Sequence, residues 1–411
     1  MDGPRAARVK ELPLVEELSN RVFRTRFDDG QTMFQEFPEL FSIENIDNVR
    51  VVVEDGIPVS NMNYVIRPVS IYGCTISVAS LGAVATREEY RGRGYASVLL
   101  DDCIDRMNTQ GVHVLLISGD RRLYRSIGSL PAGWMYNYII SDKSNVENNM
   151  ESKIVNKGAD LTNLDEYTIK EINIEECSNG KLHKLAELYR KENVRFIRRY
   201  DEFHDLLLSR KFLRKTTAQK KVIALEGKEG FEAYMYMGVD GMVGSIYDCA
   251  GPRELIIKTC AKLVKDNILE SVYGRLMPYH RSAIGFCKAN NINLEEKRLI
   301  GTMKIVNFKS FMETLRKYFY EIYNNGFIDK LEFVNDEKGA CFKLGDKRCI
   351  VRDKEKLNDL IFGGAEVCKE DFLFECEYED CTLEYNYEEF KEFFKHVFPI
   401  PFIDPYSLNY I

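Results

Sequence analysis

The stretch Leu81–Leu100 constrains this chain more than any other. Leu81 to Thr86 is a short apolar run of strand type. A charged turn leads into Arg91-Gly92-Arg93-Gly94-Tyr95-Ala96, and Val98, Leu99, Leu100, Cys103, Ile104 and Met107 then recur at helical spacing. Strand, glycine turn and helix in that order make an anion site. The first-turn N–H groups of a helix have no internal partner, and the macrodipole adds partial positive charge there. Gly92 and Gly94 let a diphosphate approach the backbone closely, and Ala96 keeps that path open. Each dipole contact is worth only about 0.3–1 kcal/mol, so several N–H groups and both arginines must act together. The loop lacks the Gly-Lys-Ser/Thr of a nucleotide phosphate loop and the three-glycine dinucleotide fingerprint.

At 411 residues, two or three domains are expected. Leu14–Phe23 and Thr32–Phe41 read as short amphipathic helices. Asn48–Val53 and Pro58–Val65 read as strands joined by the hairpin turn Glu54-Asp55-Gly56. Ser70–Ala79 and Leu81–Thr86 are two further strands, and Gly111 ends the long helix. Val112–Ser118 has the near-continuous apolar character of a strand buried on both faces, which makes His113 a core residue. Asp120 is placed to cap a short helix, Arg121–Ile127, that Gly128 stops, and Trp134–Ile140 is a final strand.

Ser141–Leu164 is polar and asparagine-rich, a linker with room for one short helix. From Tyr167 the pattern restarts: strand Tyr167–Ile172, helices at Leu182–Asn193 and near Tyr200–Leu208, then strands Val222–Glu226, Phe231–Val239 and Val243–Cys249. Cys249-Ala250-Gly251-Pro252-Arg253 precedes the helix Glu254–Lys265, like the first glycine turn in degraded form. Pro252 removes a donor where one is wanted and no second glycine follows, so this copy is expected to bind no coenzyme. The segment Arg190–Lys221 holds eleven Lys/Arg against four Asp/Glu, +7, and reads as a solvated face or an interdomain contact. Met303–Val306 leads out as a strand, Phe311–Tyr323 is helical, and Leu331–Val334, Gly339–Leu344 and Arg348–Arg352 alternate as strands. Lys354–Phe362 is a helix stopped by Gly363-Gly364. In the acidic Glu366–Glu392, Phe372, Phe374, Tyr385 and Tyr387 are expected to pack a core. The tail, stiffened by Pro399, Pro401 and Pro405 and apolar to Ile411, is expected to be tied down, since free termini are normally polar and mobile.

A net charge of −7 argues against nucleic-acid binding and suits a cationic substrate. No apolar run approaches membrane-spanning length, and the polar Met1–Lys10 gives no expectation of a secretory leader. Eleven cysteines without a Cys-x-x-Cys pair read as reduced thiols in a cytoplasmic protein, with no metal expected.

Arg91-x-x-Gly94-x-Ala96 after a strand and before a helix resembles the pyrophosphate loop of the GNAT N-acetyltransferases. With a degraded second copy and an αβ tail domain, the whole chain resembles the enhanced intracellular survival (Eis)-type acetyltransferases. The resemblance implies an α+β fold of two tandem GNAT-like αβ domains, the second degenerate, followed by a sterol-carrier-protein-like αβ domain. Its parts would be a catalytic domain at 1–142, a linker at 143–166, the degenerate domain at 167–302 and the C-terminal domain at 303–411. It implies acetyl-CoA as co-substrate and a homo-oligomer. Backbone groups of Val84, Ala85 and Thr86 would pair with the pantetheine arm, and Gly92, Arg93, Gly94, Tyr95, Ala96 and Ser97 would hold the diphosphate. The family's acid, a tyrosine on the next helix, maps to Tyr124, and its terminal carboxylate, suggested as base, maps to Ile411. The family's usual Tyr-x-Arg-Phe-Gly-Tyr reads here Tyr124-Arg125-Ser126-Ile127-Gly128-Ser129, a departure that bears on the acceptor pocket.

The chemistry asks for the same parts. An acceptor amine of pKa near ~10 is mostly protonated at neutral pH, so something must accept its proton. A leaving thiolate, cysteine-like at ~8.5, gains from a phenol donor. An α-carboxyl near ~3.5 makes a weak base unless burial raises it, so Glu88, Glu89 and water compete with Ile411 for that role. The activity this implies is acetyl transfer to a primary amine of a small cationic molecule or a lysine by direct attack on the thioester. The alternatives are a longer acyl group, or a non-catalytic acyl-CoA- or lipid-binding protein; an intact Tyr124 and a sequestered terminus favour catalysis.

Overall fold

A computed structural model describes residues 1–25, 30–141, 161–209, 211–213, 215, 217–337, 339–363 and 387–411, with 387 and 388 by backbone alone. The expected linker therefore lies mostly outside the described residues, as do Phe372, Phe374, Tyr385 and the side chain of Tyr387.

The first unit contains β1 (Asp2–Ala6), α1 (Leu12–Phe23), α2 (Met33–Glu36), β2 (Val49–Glu54), β3 (Ile57–Ile71), β4 (Cys74–Thr86), α3 (Tyr95–Thr109), β5 (Val114–Ile117) and α4 (Arg122–Ser126). Asp55 and Gly56 both adopt left-handed φ, 50° and 79°, and close the β2–β3 hairpin as their residue types predict. The helix expected at Thr32–Phe41 shrinks to the single turn of α2. The gap expected at residues 66–69 and the break at Ser80 do not occur, because β3 and β4 each run unbroken, whereas the single strand expected at Ser70–Ala79 is split by a turn at Tyr72-Gly73. Side chains alternate along β2: Val49, Val51 and Val53 join a core with α1 and α2, whereas Val52 joins one with α3. The two helical layers thus cover opposite faces of the sheet.

The second unit repeats the plan with α5 (Asn179–Arg190), α6 (Tyr200–Leu208), β9 (Gln219–Gly227), β10 (Gly230–Asp240), β11 (Val243–Ala250), α7 (Arg253–Lys265), β12 (Ser271–Leu276) and α8 (Arg281–Ala289). The two sheets trade strands. β6 (Trp134–Ser141) runs antiparallel to β12 and to β13 (Glu295–Arg298) in the second sheet, which β7 (Thr168–Ile172) closes at its other edge. In return β14 (Thr302–Ile305) pairs with β5, and β8 (Val194–Phe196) pairs with the far end of β3. Gly301, at φ 88°, makes the return possible, since a Cβ there would run into the Ile117 carbonyl.

In the third unit, α9 (Phe308–Thr314) and α10 (Arg316–Ile322) replace the one helix expected at Phe311–Tyr323. Next come α11 (Asn325–Ile328), the antiparallel sheet β15 (Leu331–Asp336), β16 (Gly339–Leu344) and β17 (Lys347–Val351), α12 (Lys354–Phe362) and α13 (Tyr387–Val397). Phe311, Phe319, Phe342 and Phe393 of this unit share one core with Val69, Ile76, Val78, Val114 and Leu116 of the first sheet. Among the described residues no helix is long and apolar enough to cross a membrane.

Candidate active site

β4 and β5 pair in parallel from Val78/Val114 to Leu81/Ile117, and there β5 ends while β4 continues to Thr86. The strands part at Gly82. Immediately beyond, Asn63 pairs with Gly82 but Asn61 pairs with Ala85, so Ala83 and Val84 form a bulge with Ala83 at φ 50°. Two fully buried asparagines hold it: Asn61 and Asn63 Nδ2 donate to the Ala83 carbonyl at 2.7 and 3.0 Å. Ala85 and Thr86 pair with β3 on one side, and on the other β4 has lost its partner strand.

The glycine loop follows at the end of that free edge. Gly92 and Gly94 both take left-handed φ, 77° and 81°, which a Cβ would strain, and Gly94 starts α3 with no side-chain cap. The Ser97 and Val98 N–H groups already return to the Gly94 carbonyl, whereas those of Tyr95 and Ala96 have no partner among the described residues. Thr86, Tyr90, Arg91, Gly92 and residues Gly94 to Ser97 line an open recess of about 380 Å³. Arg93 lies over the Tyr90 ring at 4.7 Å, and the Tyr95 hydroxyl donates to Glu54 at 2.7 Å. Glu88 and Glu89 are exposed on the turn before the loop.

Two further groups reach the point where the strands part, one from each face. Tyr124 on α4 is buried with Leu81 and Ile117, its ring against Gly119, and burial raises its pKa above the ordinary phenol value despite the nearby Arg121. Asp120 does not cap α4 as expected: it pairs bidentately with Arg125, both bonds at 2.6 Å, and Arg121 takes the cap position. Ile411 arrives on the α1 face, packed with Ala83. A Cβ on Gly82 would overlap the Ile411 side chain and stand 3.3 Å from its carboxyl carbon, so the end of the tail rests on the parting strands.

The tail is fixed along its length. Arg275 donates to Asp404 at 2.9 Å and to the Tyr406 carbonyl at 2.7 Å. Arg198 donates to Asn409 Oδ1 at 2.7 Å while holding Asp248 with its other two nitrogens. Lys211 reaches the Leu408 and Tyr410 carbonyls. These cations come from the basic segment and from β12, so part of the charge run faces inward on an interdomain contact. Asn61, Asn63, Gly82 and Lys211 were not distinguished by sequence reasoning. The one local signal was Asn-Met-Asn, two poor strand formers inside a buried strand.

Residues 4–129 match the family described as an acetyltransferase (GNAT) domain. That segment is a GNAT domain, and the chain is an enzyme of the acyltransferase class. Among solved structures it is similar to Eis1 from Mycobacterium abscessus, at 11% identity over 89% of this chain and 90% of that one, with a TM-score of 0.58. A GCN5-related N-acetyltransferase from Anabaena variabilis is similar at 14% identity over 87% and 89%, TM-score 0.58. A probable N-acyltransferase from Enterococcus faecalis is similar at 16% identity over 75% and 74%, TM-score 0.53. At such identities the likeness is one of fold, and in fold the chain resembles the Eis-type enzymes. No curated protein matches the sequence.

Proposed function

We propose that this chain transfers an acetyl group from acetyl-CoA to a primary amine of a small cationic molecule or a lysine, by direct attack on the thioester. The coenzyme diphosphate sits on Gly92–Ser97, and the pantetheine arm takes the β4 edge at Val84, Ala85 and Thr86 that β5 vacates. Tyr124 protonates the leaving thiolate; a phenol carries its proton at neutral pH and can give it up as the thiolate departs. The Ile411 carboxylate accepts the proton of the attacking amine. The observation that carries this reading is the Ile411 carboxyl carbon against Gly82, where β4 and β5 part, with the open recess at the far end of the same free β4 edge.

No metal takes part in this scheme. The resemblance extends it to a cytoplasmic homo-oligomer with a catalytic domain at 1–142, a linker at 143–166, a degenerate copy at 167–302 and a sterol-carrier-like domain at 303–411. Thiol release from acetyl-CoA, measured across a panel of small polyamines, aminoglycosides and lysine peptides, tests the activity. Amine-dependent release is expected. Release absent with every amine yet restored by a longer acyl-CoA would replace acetyl by that acyl group.

A further inference from the structure

Lys211 is fully buried on the loop after α6. Its ammonium donates to Glu39 and to two tail carbonyls, Leu408 at 3.0 Å and Tyr410 at 3.2 Å. Arg67 on β3 stands 3.0 Å from the same Glu39 oxygen, Oε1, and also pairs with Glu202. Burial pulls Lys211 down to about 8 against the pull of Glu39. The next residue, Phe212, stands at φ 69°, a conformation that a bulky residue keeps only where its surroundings compel it. Its ring stacks on Tyr247 at 4.3 Å and meets Tyr406 at 4.6 Å and Tyr410 at 5.6 Å. Adjacent residues thus grip the tail in two ways, Lys211 by backbone carbonyls and Phe212 by aromatic rings. The grip falls on the residues immediately before Ile411.

We propose that Lys211 and Phe212 form a clamp that positions the terminal carboxylate for proton transfer. They act through Ile411 and touch no substrate, and the inference rests on the assignment of that carboxylate as the base. Strain at Phe212 is the local cost of directing both side chains to the tail. A proton acceptor misplaced by about 1 Å costs roughly 10²-fold in rate, so loosening the clamp falls on kcat and leaves the coenzyme KM in place.

The test uses the full chain. Lys211→Met is expected to lower kcat about 10- to 10²-fold at unchanged acetyl-CoA KM. Phe212→Gly, which keeps the left-handed backbone and removes the ring, is expected to do the same and covers the case in which Lys211→Met does not fold. Each is then combined with one glycine appended after Ile411, which moves the carboxylate by about 3.8 Å. A clamp acting only through the carboxylate costs little more in the extended chain; a merely structural role costs its full factor again. Parental kcat in both point variants, or fully additive losses in the extended chain, overturns the clamp. Parental turnover in the extended chain alone overturns the base assignment instead, with the clamp's catalytic role.

Discussion

The two glycine loops share one strand–turn–helix plan and differ in what occupies them. In the first, Gly92 and Gly94 open onto a recess, and a Cβ at either would meet nothing within 4 Å. In the second, Gly251 is jammed against the neighbouring strand, where a Cβ would strike the Glu232 carbonyl, and Pro252 supplies no N–H. The donor just before Pro252 is already taken. The Gly251 N–H donates to Glu192 at 2.8 Å, and Arg253 clasps the same carboxylate at 3.0 and 2.8 Å. An internal carboxylate therefore stands where the first loop has room for a diphosphate.

The clefts beside the loops differ in the same way. β11 and β12 pair from Val243/Ser271 to Ser245/Tyr273 and then part, as β4 and β5 do. In the second copy Ile403, Asp404 and Ser407 of the tail line a cavity of about 90 Å³ beside the opening, and Tyr406 lines another of about 320 Å³ with Ser245, Tyr273 and Gly274. In the first copy the tail contributes its end, Ile411. One stretch of chain thus packs beside the second opening before its end reaches the first. The lesson is that the same strand–turn–helix plan leaves an open recess in the first unit and in the second holds the tail, through Arg198 and Arg275.

The largest expected effect separates chemistry from binding in the first copy. Tyr124→Phe keeps the ring and its packing and loses only the proton donor, so turnover is expected to fall about 10²- to 10⁴-fold at unchanged coenzyme affinity. Steady-state kinetics with acetyl-CoA and an active amine check it; parental turnover would assign the proton to another group. A smaller effect sharpens the second copy. Glu192→Gln weakens the charge-assisted bonds to Arg253 and is expected to destabilise the fold by about 1–3 kcal/mol, read as a lowered melting temperature. No coenzyme site is expected to appear, because Pro252 remains. A new site in this variant would show that the carboxylate alone had closed the second loop.

What was legible beforehand follows from what is local. Left-handed glycines, the Asp55-Gly56 turn, the stop of α12 at Gly363 and the apolar tail all depend on residues near one another in the chain, and each stands where its residue types placed it. The exchange of β6 and β14 was not legible. An apolar strand carries no mark of which sheet it joins; that choice depends on partners more than a hundred residues away. The charge run at Arg190–Lys221 hid Arg198 and Lys211 for the same reason. A buried lysine and a solvated one look alike until Glu39 and the Leu408 carbonyl are brought beside it. The bulge at Ala83 was equally hidden, because its two asparagine supports lie on the neighbouring strand.

The central claim is that one loop of the two is live, and coenzyme stoichiometry tests it most directly. Calorimetric titration of the full chain with acetyl-CoA is expected to give one site per chain, and none after Gly94→Glu, which strains the left-handed backbone and sets a carboxylate in the anion recess. Two equivalent sites, or one that survives Gly94→Glu, would contradict the account.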